Sequence, residues 1–108
     1  MYGNPHVRLS TFNSRIAVCG MYILPIQVSR FCPYVLCFLE LTSESIILVG
    51  LHEIDTDALI DCFWNYFVRR YGVPRMVILS RDSCFLDDNF QNFLIALEVC
   101  LEFYDFAY

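Results

Sequence analysis

A chain of 108 residues holds one domain at most, and its 57% hydrophobic content excludes an intrinsically disordered segment, which lacks the apolar side chains that offset ordering entropy. The formal charge is −5, and all seven cationic residues are arginines. This acidic balance excludes tight nonspecific binding along nucleic acid, which depends on neutralising phosphates.

Residues 1–15 are polar, include Gly3, Asn4, Pro5 and Asn13, and read as a loose N-terminal arm. Residues 16–24 form an apolar run closed by Pro25, the pattern of a buried first strand. The long polar lead-in and Pro25 argue against a secretory leader here. No run approaches the ~20 apolar residues that a membrane span needs. Residues 28–33 read as a turn, and 34–41 (YVLCFLEL) as a second strand. A tight polar connection at 42–45 leads to a third strand at 46–52, rich in β-branched residues. Connections this short predict an antiparallel meander.

The period then changes. Leu59, Ile60, Phe63, Trp64, Phe67, Val68 and Tyr71 recur at helical spacing, which predicts a helix over 56–71. Asp55 or Thr56 is placed to cap its start, and Asp57 complements its dipole. Arg69 and Arg70 suit its last turn, Gly72 ends it and Pro74 prevents continuation. A fourth strand follows at 75–80, then a helix over 86–99 capped by Asp87 or Asp88, with Phe90, Phe93, Leu94 and Leu97 inward. Residues 100–106 alternate and read as a fifth strand. The order β-β-β-α-β-α-β predicts an α/β domain with a mixed five-stranded sheet and helices on its faces.

Little of the remaining chemistry has a recognisable pattern. The six cysteines form no CxxC pair, and most lie in apolar runs, so they read as buried free thiols in a reducing, intracellular compartment, nuclear or cytoplasmic. His6 and His52 are isolated, which argues against metal ligation. Ser80 and Ser83 have no GxSxG elbow, and four glycines supply no phosphate-binding loop. Cys84 has Arg81 close in sequence to lower its thiol pKa, without an identifiable histidine partner. Arg69, Arg70, Arg75 and Arg81 cluster in sequence and read as a solvated face.

The local sequence is more specific than the order of elements. Tyr71-Gly72-Val73-Pro74 is followed by a strand to Ser80, then by Phe85, an aromatic-rich helix with Phe90 and Phe93, and a terminal Ala107-Tyr108. These landmarks resemble the integrase catalytic core of retroviruses and long-terminal-repeat retrotransposons, closest to the gypsy-like branch. Upstream, GMYILPIQVS (20–29) and YVLCFLELTSESIILVGL (34–51) are similar to the first three strands of that family. The resemblance implies a ribonuclease H-like fold over residues 16–108, degenerate and truncated at its C-terminus. The family packs further helices after the fifth strand, and without them part of the sheet face is expected to be open.

The same resemblance implies metal-dependent DNA strand transfer, in which two Mg²⁺ or Mn²⁺ ions are held by two Asp and one Glu. The position of the first Asp is occupied here by Tyr22. The second falls six residues after Pro74 and five before Phe85, and both counts arrive at Ser80. The third acid belongs to a helix that would follow Tyr108. The chain is therefore expected to be catalytically inactive, with no catalytic residue, no cofactor and no metal. Asp82 is the weak substitute candidate, with Glu40 as its only conceivable co-ligand. Expected partners are DNA, bound weakly, or a protein or second copy docking on an apolar helix such as 56–71; no membrane is expected. An alternative reading makes the domain a non-catalytic interaction or dimerisation module.

Overall fold

Alternating and β-branched runs become strands, and the computed structural model describes residues 15–25 and 29–105. Of the arm expected at 1–15, residues 1–14 lie outside the described residues. Strands β1 (Val18–Ile23), β2 (Tyr34–Glu40), β3 (Ser45–Leu51), β4 (Met76–Leu79) and β5 (Cys100–Phe103) form one sheet in the order β3-β2-β1-β4-β5. The meander is antiparallel, with Tyr22 opposite Cys37 and Phe38 opposite Ile47. The crossovers are parallel, with Met21 beside Leu79 and Leu79 beside Phe103. This is the mixed five-stranded sheet that the order of elements predicts.

The first helix, α1, is composite: α-helical at Thr56–Cys62, π-helical at Phe63–Val68 and α-helical again at Arg69–Tyr71. Its inward residues explain the change. Leu59, Phe63, Phe67 and Tyr71 are spaced by four throughout. In a regular α-helix each such step drifts about 40° around the axis. The wider π turn winds that drift back and keeps the row facing the sheet. The rings of Phe63 and Phe67 lie parallel with centroids 6.0 Å apart, and Phe67 meets Phe38 of β2 at 6.1 Å. Gly72 ends the helix at φ 83°, a left-handed conformation that a side chain disfavours.

The second helix, α2 (Asp88–Ala96), is shorter than the predicted 86–99: Asp87 caps its start, after a separate 3-10 turn at Ser83–Phe85, and Leu97 and Glu98 turn the chain towards β5. Both described helices lie against one face of the sheet. Cys19, Met21, Leu36, Phe38, Val77 and Leu79 share a single buried cluster with Leu59, Phe63, Phe67, Phe90 and Leu94. The pleat turns the alternate residues to the opposite face, where Val35 and Cys37 are buried but Ile46 and Leu48 on β3 are 63% and 59% exposed. The last turn of α2 closes through Glu98 at φ 61°, and Arg15 donates from Nη1 to the carbonyl of Leu97 at 2.9 Å.

All six cysteines are free. Burial holds for Cys19, Cys37 and Cys62, but Cys100 is exposed because the pleat of β5 turns it, with Glu102, away from the core that Leu101 and Phe103 meet. Among the described residues, no helix is long and apolar enough to cross a membrane.

Candidate functional site

Parallel pairing brings the carboxyl ends of β1 and β4 together. Met21 is in register with Leu79, and the backbone N–H of Ser80 donates to the carbonyl of Met21 at 3.0 Å. Ser80 therefore extends the β4 ladder to the level of Tyr22 at the end of β1. This junction gathers side chains from two central strands. Here it gathers a phenol and a hydroxyl.

Ser80 is buried, and its hydroxyl donates to Oδ2 of Asp82 at 2.5 Å. Tyr22 hydrogen-bonds its cross-strand neighbour Cys37. Asp82 stands just outside the strand and is exposed. Arg81 turns away from it and pairs with Asp105 at 3.2 Å, both side chains largely in solvent.

Glu40 lies at the other end of the sheet. It pairs with Cys19 at the start of β1, about three residues from the Tyr22 level, or roughly 10 Å along the strand. Glu40 and Asp82 are thus not brought together, and the separation is too large for one cation to span. Glu40 serves the β2–β3 turn instead. Its carboxylate accepts from the N–H of Val18 at 3.0 Å, from Thr42 Oγ1 at 2.7 Å, and from the N–H and hydroxyl of Ser43 at 2.8 and 2.6 Å. Burial alone would raise its pKa; the hydrogen bonds from Ser43, Thr42 and Val18 outweigh that and hold it at about 2.

An open cleft of about 590 Å³ adjoins the strand ends, walled by Ile23, Tyr34 and Ile54, with Asp55, Asp82, Asp87 and Cys84 at its rim. Two of these carboxylates are already committed. Asp55 caps α1 through the N–H of Ala58 at 2.8 Å. Asp87 caps α2 through the N–H of Phe90 and also accepts from Thr56 Oγ1 at 2.7 Å, tying the two helix starts together. The Thr56 hydroxyl, and then the Phe90 N–H, hold its carboxyl below the ordinary range. The Thr56–Asp87 link has no signature in sequence, because 31 residues separate its partners.

Cys84 does not carry the activated thiol that its nearness to Arg81 suggests. Burial first, and the Asp82 carboxylate second, push it up to about 11. Arg81 is engaged elsewhere, so the charge that Cys84 meets is negative.

The residues present do not fit a divalent pair. Hard cations need several oxygens in fixed geometry. Asp55 and Asp87 are engaged as caps, and Asp82 is bonded to Ser80. Among the described residues no group of three or more His, Cys, Asp or Glu side chains is placed to hold a metal ion.

Element order, strand order and mixed pairing define the ribonuclease H-like fold of retroviral integrase cores. Two solved structures carry the comparison. The magnesium-bound, trimeric form of the HTLV-2 integrase catalytic core domain superposes with a TM-score of 0.72 at 11% identity, over 83% of this chain and 60% of that one. A chain of the simian T-cell lymphotropic virus intasome, in complex with PP2A regulatory subunit B56 gamma, superposes at 0.69 and 10% identity, over 81% and 33%. This chain thus spans less than two thirds of the length of either. Identity this low establishes the fold alone. No family model and no curated protein matches the sequence.

Proposed function

We propose that this chain is an integrase-core-like domain of retroelement origin that has lost catalysis. One observation carries the reading: the β1–β4 junction presents Tyr22 and Ser80, and neither is a carboxylate. A phenol and an aliphatic hydroxyl are neutral near pH 7 and do not replace the charge that two divalent ions require. The surrounding carboxylates cap helices or bond to Ser80, so none takes over.

DNA remains a weak partner in this reading. The strand carboxyl ends carry Asp55, Asp82, Asp87, Asp88 and Asp105, which oppose phosphate unless cations intervene. The free thiols suit a reducing compartment. The test is a strand-transfer and nicking assay with Mg²⁺ or Mn²⁺ on duplex DNA. No product above background is expected. Metal-dependent product that disappears in Asp82→Asn would overturn the reading.

A further inference from the structure

The sheet ends on one side in β3, whose seven residues Ser45–Leu51 include no charge and no proline. Among the described residues no strand pairs with its outer edge. An edge strand of this length, left open, is a template for another strand unless charge, proline or brevity protects it. The opposite edge has that protection: β5 is four residues long and contains Glu102. β3 has none. The side chains of Ile46 and Leu48 also stand 63% and 59% exposed on the face away from the helices.

The geometry points to β3 as a self-association edge, on which β3 of a second copy of this chain pairs antiparallel about a two-fold axis at Leu48. The strand's composition selects a second copy. With Leu48 opposite its own equivalent, Ile46 of each copy meets Gly50 of the other and Ile47 meets Val49, so the inner pairs are apolar on both sides of the sheet, and Ser45 meets Leu51 at the strand ends. The same register sets Glu44 beside His52 at each end and opposes no like charges, as cross-strand pairing requires. An isologous contact of this kind closes as a dimer and joins two five-stranded sheets into one. Leu48 stands two strands across the sheet from Tyr22, in the row Tyr22–Cys37–Leu48, and takes no part in the β1–β4 junction, so the inference holds whether or not catalysis is lost.

Sedimentation velocity over a concentration series tests it. The wild type is expected to shift from 12.7 kDa to twice that mass. Leu48→Lys and Leu48→Glu each set like charges on the two-fold axis and remove an apolar contact from both copies. Each alone is expected to weaken the dimer on the order of a hundredfold. An equimolar mixture of the two regains a dimer, because lysine then faces glutamate. Circular dichroism confirms that both variants fold, and hydrogen exchange on the wild type provides a second readout, with β3 amides slowing as concentration rises. A wild type that stays monomeric overturns the proposal. So does a wild-type dimer whose variants associate unchanged, or whose mixed variants do not pair.

Discussion

The N–H of Val18 donates to the carboxylate of Glu40 at 3.0 Å, joining the first residue of β1 to the last residue of β2. The same carboxylate holds the turn through Thr42 and Ser43. One buried anion thus satisfies a donor from β1 and donors from the β2–β3 turn. Glu40→Ala leaves those donors without a partner and is expected to cost about 3 kcal/mol, read from urea denaturation.

The pH dependence follows from the same group. Glu40 titrates at about 2 when folded, against 4.5 ordinarily. The unfolded state therefore binds its proton first as pH falls. The stability it contributes is complete above about 4.5 and disappears as pH drops towards 2. Denaturation midpoints at pH 7, 4 and 2.5 should fall accordingly, and Glu40→Gln should flatten that part of the profile.

Phe67 is fully buried near the end of the π segment, against Phe38, Phe63 and Tyr71. Phe67→Ala is expected to cost about 4 kcal/mol through lost burial and the cavity it leaves. For a domain of this size that is a large share of the total stability. Thermal denaturation checks it, and the exposed control Tyr66→Ala should change little.

Thiol labelling separates the cysteines. With its pKa at about 11, Cys84 is almost entirely protonated at pH 8, on the order of one thiolate per thousand. Alkylation followed by mass spectrometry should modify the exposed Cys100 well before Cys84. Asp82→Asn removes the adjacent negative charge and should speed Cys84 labelling.

Placing carboxylates at Tyr22 and Ser80 tests the junction directly. Tyr22→Asp/Ser80→Asp puts two acids on adjacent strand ends and should create weak Mn²⁺ binding, visible as paramagnetic broadening of nearby resonances. The wild type should show none. Equal broadening in both proteins would place a metal site elsewhere.

The elements themselves are local properties, and the sequence showed them. The four-residue spacing from Leu59 to Tyr71 predicted a helix, and Gly72 and Pro74 its end. The counts from Pro74 and Phe85 that single out Ser80 are likewise local. A π segment was not legible, because it depends on which row of α1 the sheet holds. Nor was the fate of Glu40: its charge is visible in YVLCFLEL, but its donors come from Val18 and from the turn.

What the sequence determined by itself is the order of strands and helices, since hydrophobic period and turn chemistry act within a few residues. What only the tertiary structure decided is which side chains meet. Parallel pairing of β1 with β4 set Ser80 level with Tyr22, and antiparallel pairing of β1 with β2 sent Glu40 to the far end of the sheet. Chain folding also linked Thr56 to Asp87 and drew Arg81 to Asp105, leaving Cys84 beside a carboxylate. These contacts join residues remote in sequence, and side-chain chemistry alone does not select among the partners that the folded sheet brings within reach.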